Sequence, residues 1–166
     1  MIKMIVFLGN PGKQYLDTRH NIGFSICDYK YNNISFQKKF NSLFANVNSI
    51  KILKPQTFMN NSGKAIQAAM SYFSIQSNEI LVVHDDLELD FSNIKIQQGG
   101  GLKGHNGLKS IKEQIKKDDF YRLRFGIGRP KHKNVSSFVL SKFDNDEKIS
   151  LPIYIEKASK LIDSYI

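Results

Sequence analysis

Two apolar runs, Ile2–Leu8 and Ile80–Val83, do most to limit what this chain can fold into. Neither approaches the roughly 20 residues needed to cross a bilayer. A short apolar run closed by turn residues reads as a strand buried on both faces. The first run leads into Gly9-Asn-Pro-Gly12, a turn rather than the small-residue site at which a signal peptide is cut. Between and after these runs the period changes. Ile22–Lys30 reads as a short helix behind Asn21, broken by Tyr31-Asn-Asn33. Ser62–Phe73 sets Ala65, Ile66, Ala69, Met70 and Phe73 on one helical face, and Gly107–Lys117 does the same with Leu108, Ile111 and Ile115. Phe40–Val47 and Ser49–Lys54 read as a hairpin turning near Asn48. Ile94–Gln98 and the alternating Tyr121–Ile127 read as further strands. The tail after Val135 reads as helical, with Ile155, Ala158, Leu161 and Ile162 on its apolar face. Strands alternating with helices, without repeat or linker, predict a single α/β domain over residues 1–166. It would be a three-layer sandwich around a mostly parallel sheet. In such sheets ligands gather at the carboxyl ends of strands, and the turns after Leu8 and Val83 lie at two such ends.

Charge narrows the partners. The chain has 24 Lys and Arg against 15 Asp and Glu. Between Phe91 and Lys142 there are twelve basic and three acidic residues, so this segment supplies the whole surplus. A one-sided basic surface attracts phosphate backbones, although scattered solvated lysines have the same composition. These lysines do not oppose a continuous apolar helical face, which argues against a membrane surface. The one cysteine, Cys27, cannot form an internal disulfide, which fits a small core residue and a reducing, cytoplasmic setting.

Polar side chains crowd the turns Leu8-Gly-Asn-Pro-Gly12, Thr18-Arg-His-Asn21, Phe58-Met-Asn-Asn61 and Gly104-His-Asn-Gly107, and the strand end His84-Asp-Asp86. His20 is a candidate base, because imidazole takes and gives protons near neutral pH. His84 and His105 could equally be structural hydrogen-bonders, and sequence alone does not choose among the three; His132, between two lysines, reads as solvated. Asp85, at a strand end, could orient an imidazole and stabilise its protonated form. No serine or cysteine stands in a nucleophile signature, so a His–Asp pair here would activate water. The acidic cluster Asp85, Asp86, Glu88 and Asp90 lacks calcium-loop spacing, and Asp86 and Asp90 read as facing solvent. Asn10, Asn21, Asn60, Asn61 and Asn106 suit turns, yet an amide can also donate to a developing oxyanion. Gly99-Gly-Gly101 lacks both the P-loop and the dinucleotide pattern. Lys95, Lys103, Lys109, Arg122 and Arg124 around it could grip a phosphate.

These segments together resemble the bacterial-type peptidyl-tRNA hydrolase family. The resemblance is collinear from Met1 to about Pro130. It rests on the first of the turns above, Tyr15, Thr18-Arg-His-Asn-Ile-Gly-Phe24, Lys54-Pro-Gln-Thr-Phe-Met-Asn-Asn-Ser-Gly63, Val83-His-Asp-Asp86, Gly104-His-Asn-Gly-Leu-Lys109 and Arg122-Leu-Arg-Phe-Gly-Ile-Gly-Arg-Pro130. It implies a monomer with a mixed sheet between helices, no metal and no organic cofactor. The implied reaction hydrolyses the ester between a peptide and the terminal ribose of tRNA. By the resemblance, His20 is the base, Asp85 its orienting carboxylate, and Asn10 a contact that polarises the ester carbonyl. Asn60 and Asn106 position peptide, tRNA end and water, Tyr15 and Met59 wall the cleft, and Arg124 helps hold a tRNA phosphate.

The chain departs from the family pattern in three places. Leu102-Lys103 stand where small residues are common, Gln97 stands where many relatives carry a phosphate-binding lysine, and the first helix region and tail are short. Lys95 or Lys103 could serve in place of Gln97. Two other readings compete. An RNA-binding protein without turnover would not require the set His20, Asp85, Asn10, Asn60 and Asn106. An unrelated hydrolase of small esters or amides would not require the basic segment.

Overall fold

The computed structural model describes residues 1–132 and 134–166. Two strands form its centre: β1 (Met4–Phe7) and β5 (Ile80–Asp86), both wholly buried. They run parallel, with Met4 beside Ile80 and Phe7 beside Val83. Around them lie β2 (Gln37–Lys39), β3 (Ser42–Val47), β4 (Ile50–Pro55), β6 (Ile94–Gln98) and β7 (Tyr121–Gly126), in the sheet order β2-β3-β4-β1-β5-β7-β6. The four central strands β4, β1, β5 and β7 are parallel, while β3 and β6 run against their neighbours. The sheet is mixed and mostly parallel.

Strand alternation gives the sheet two apolar faces. Ile5, Phe7, Leu81, Val83, Leu123 and Phe125 meet α1 (Ile22–Lys30) and α5 (Asn145–Asp163) through Ile22, Ile26, Cys27, Ala158 and Ile162. Met4, Val6, Leu8, Ile80 and Val82 meet α2 (Ser62–Phe73) and α3 (Asn106–Ile115) through Ile66, Ala69, Leu108 and Ile111. Three layers result, as the strand and helix pattern predicts. Gly63 lets α2 lie almost against α3: its N–H donates to Ser110 Oγ at 2.9 Å. A Cβ at Gly63 would stand 2.1 Å from the Ser110 carbonyl oxygen.

Four expectations change. Phe40 and Asn41 have positive φ and form the turn between β2 and β3, so Phe40 does not open a strand. β2 escapes sequence reading because Gln37-Lys-Lys39 is a polar, largely exposed edge. β5 does not stop at Val83 but continues through Asp86, so His84, Asp85 and Asp86 are strand residues. The tail is two helices, α4 (Val135–Val139) and α5, the second opened by reciprocal Asp144 and Glu147 caps. His132 is exposed as expected, and the expectation for Lys133 beside it falls outside the described residues.

Candidate active site

The carboxyl ends of β1 and β5 open side by side into a cleft of about 350 Å³. Tyr15, His20, Met59, Asn60, Asp85, Lys103, His105 and Asn106 line it together with Asn10.

Asn10 follows β1 and is held from three sides. Its N–H donates to Asn21 Oδ1 at 2.8 Å, and its carbonyl accepts from Asn21 Nδ2 at 2.9 Å. Its own Oδ1 accepts from the Met59 N–H at 2.7 Å. The amide orientation is thereby fixed, because Oδ1 must face a donor. Nδ2, which has no partner among the described residues, is left as a donor for the cleft. Asn21 is the clamp, a role its turn position did not disclose.

His20 sits in the single turn Arg19–Asn21 that leads into α1. Its Nδ1 lies 2.9 Å from both Asp85 oxygens. An ionised carboxylate only accepts, so Nδ1 carries the proton and Nε2 presents a lone pair. Burial is the strongest influence on His20 and lowers its pKa, but the charge and hydrogen bond of Asp85 together outweigh it and leave the pKa raised above 6.5.

Asp85 is 2% exposed and has a second imidazole partner. His105 caps α3: its Nδ1 accepts from the Gly107 and Leu108 N–H groups at 3.1 and 3.3 Å. Its proton must then reside on Nε2, which donates to Asp85 Oδ1 at 2.8 Å. Burial alone would raise the Asp85 pKa most, yet the charges and hydrogen bonds of His20 and His105 hold it well below the usual carboxylate range. The third histidine, His84, donates from Nδ1 to the Asp85 carbonyl at 2.7 Å. Burial, then the neighbouring His105, push its pKa down to about 3, so it stays neutral. The three imidazoles differ in their surroundings. Among the described residues, His20 keeps an unpartnered Nε2 at the cleft; the Nε2 of His84 also lacks a partner but is fully buried, and both ring nitrogens of His105 are engaged. The signal for His105 was its place just before Asn106-Gly107, a helix N-cap position.

His20, Asp85 and His105 offer ligand atoms within 4.8 Å of one another. They suit a metal poorly. With Nδ1 of His105 accepting two backbone N–H groups, a metal on Nε2 would require an imidazolate.

The expected phosphate residues separate into two groups. Lys103 lines the cleft, in a loop where its φ is +52°. Lys95 and Arg124 do not line it; they are register partners on β6 and β7, so they share one face of the sheet. Arg124 is already engaged, by Nε with Asp86 Oδ2 at 2.7 Å and by Nη1 with Gln97 Oε1 at 2.9 Å. Asp86, expected in solvent, is 5% exposed. The cleft also has an apolar lining that sequence reading missed, formed by Leu87, Leu102, Leu108, Val135, Val139 and Leu140. Only the folded chain brings these distant positions together. Tyr15 stands edge-on to Phe58 at the rim, with ring centroids 6.2 Å apart.

Comparison with known proteins identifies the family. The sequence profile described as Peptidyl-tRNA hydrolase matches residues 4–166. A peptidyl-tRNA hydrolase of Corynebacterium efficiens is 42% identical, the match covering 98% of this chain and 95% of the relative. One of Persephonella marina is 43% identical, over 98% of this chain and 89% of the relative. The crystal structure of peptidyl-tRNA hydrolase from Acinetobacter baumannii superposes with a TM-score of 0.85 at 34% identity, covering 96% of this chain and 83% of that one. Its profile, relatives and architecture agree, and the chain belongs to the peptidyl-tRNA hydrolase family.

Proposed function

We propose that the cleft hydrolyses the ester between an N-blocked aminoacyl or peptidyl group and the terminal ribose of tRNA, with water as nucleophile and His20 as base. The observation that carries this reading is the His20–Asp85 pair, with the proton on Nδ1 and the lone pair of Nε2 at the cleft. Nε2 takes a proton from water as its oxygen attacks the ester carbonyl. The carbonyl becomes an oxyanion, and Asn10 Nδ2 is its donor. Asp85 stabilises the imidazolium that forms. The intermediate collapses with release of the ribose oxygen, which receives the proton from His20 Nε2. The products are a free carboxylate-ended peptide and a tRNA with its hydroxyl restored. General-base help of this kind contributes on the order of 10²–10⁴ in rate, and one oxyanion donor on the order of 10²–10³.

Asn60 and Asn106, exposed at the mouth, position peptide and tRNA end, while Tyr15 and Met59 shape the walls. Lys103, Lys95 and the remaining Nη2 of Arg124 take the phosphates. Residues 1–166 act as one catalytic unit and as a monomer. Incubation with N-acetyl-aminoacyl-tRNA and, separately, with free-amine aminoacyl-tRNA tests the reading. Release of the N-acetylated group alone is expected. Equal release of both, or of neither, would overturn it.

A further inference from the structure

The residue before the base is an arginine buried to 3% exposure, and nothing in the chemistry above uses it. Its two terminal nitrogens reach the start of the tail, while Nε has no partner among the described residues. Nη1 donates to Ser141 Oγ at 2.6 Å and to the Lys142 carbonyl at 2.8 Å, with the Phe138 carbonyl at 3.5 Å. Nη2 reaches Asp144 Oδ1 at 3.3 Å and Glu147 Oε1 at 3.1 Å. Cζ lies 4.1 Å from the Phe138 ring centroid and 5.5 Å from that of Phe143. The backbone follows the same path: Arg19 N–H donates to the Ser141 carbonyl at 3.0 Å, and Thr18 pairs with Lys142 in an antiparallel bridge.

The segment held this way carries part of the apolar wall. Val135, Ser136, Val139 and Leu140 face the cleft from α4 and its end. α4 has five residues, far fewer than a helix needs to be stable alone. Among helices and strands it packs chiefly on the turn that bears Arg19 and His20. Val135 and Leu140 remain 40% and 44% exposed, and of this part of the wall only Val139 is buried with the core, so one apolar side chain shares with Arg19 the task of fixing α4. A planar fork with five donors suits this task where an ammonium would not.

We propose that Arg19 is a positioning residue for substrate selection: it pins α4 to the turn of the catalytic base and so sets the distance between His20 and the apolar wall that meets the acyl group. This rests on the ester-hydrolase reading above. Arg19 does not touch the reacting atoms. Its loss lets the wall drift while the His20–Asp85 bond, made on the other side of the turn, persists.

The test compares release from N-acetyl-leucyl-tRNA and N-acetylglycyl-tRNA by wild type, Arg19→Met and Arg19→Lys. For Arg19→Met the expected result is a KM raised at least tenfold for the leucyl substrate, little change for the glycyl one, and an unmoved acid limb of the pH profile. Arg19→Lys restores the charge facing Asp144 and Glu147 but not the fork on the Phe138 and Lys142 carbonyls, so it recovers only part of the selectivity. Equal losses on both substrates, or a moved acid limb, would overturn the proposal. Should Arg19→Met fail to fold, Ser141→Ala removes one acceptor and keeps the arginine; a smaller loss in the same direction is expected, and an unchanged KM ratio contradicts it. Wild type inactive on both substrates would instead sink the ester-hydrolase reading itself.

Discussion

Nδ1 of His20 is equidistant, at 2.9 Å, from the two carboxylate oxygens of Asp85, although 65 positions separate the residues in the chain. A base must be neutral to accept a proton, and the pKa of His20, the proposed base, is raised above 6.5. The kcat/KM of the wild-type protein should therefore fall on the acid side of a pKa higher than 6.5. Asp85→Asn removes the influences that raise this pKa and leaves burial, which lowers it, so the acid limb should move to lower pH. The rate should drop on the order of 10³–10⁴-fold, because an amide cannot hold the same tautomer or stabilise the imidazolium. A pH–rate profile over both variants checks this; a limb that stays or moves upward contradicts it.

His105→Ala should weaken two things at once. It removes the cap of α3, which costs about 1 kcal/mol, and it removes the second donor to Asp85. A lower midpoint of denaturation should accompany a loss of kcat, on the order of tenfold or more, that persists where the variant is fully folded. Restored stability without restored kcat in His105→Asn, which can cap but not reach Asp85, would separate the two effects. Full activity in His105→Ala would deny His105 its orienting part.

Gly63→Ala tests the packing behind the cleft. The added methyl would meet the Ser110 carbonyl oxygen at 2.1 Å, and backbone must shift to admit it. Overpacking of this kind costs about 1–3 kcal/mol. Thermal denaturation should show Tm lowered by roughly 2–12 °C for a chain of this length. An unchanged Tm would mean that α2 and α3 are free to separate.

Binding of tRNA should weaken as salt rises, because the basic surplus lies in one segment. Lys103→Ala and Lys95→Ala should each reduce the slope of log K against log salt by about one if each neutralises a phosphate. Both side chains are free to do so, being exposed. Filter binding at several salt concentrations measures the slope, and a variant with the wild-type slope has no phosphate.

The two innermost strands were legible from their apolar runs, α1 from the turn residues that bound it, and α2 from its apolar period. The polar edge strand β2 carried no such pattern, and β5 ran on past Val83 because His84, Asp85 and Asp86 are each paired inside the fold rather than solvated. At the site, turn composition pointed to Asn10, His20 and Asp85. It could not assign roles to three histidines, since a tautomer depends on partners brought from elsewhere in the chain. Nor could it disclose that Asn21 clamps Asn10, or that α4 supplies a wall of the cleft, because those contacts join remote segments.

The role of His20 is best measured in a single turnover of N-acetyl-aminoacyl-tRNA by His20→Ala, with tRNA binding followed in the same preparation. Release should slow at least on the order of 10²–10⁴-fold while the dissociation constant for tRNA stays near that of wild type. Release within tenfold of wild type would show that another group activates the water.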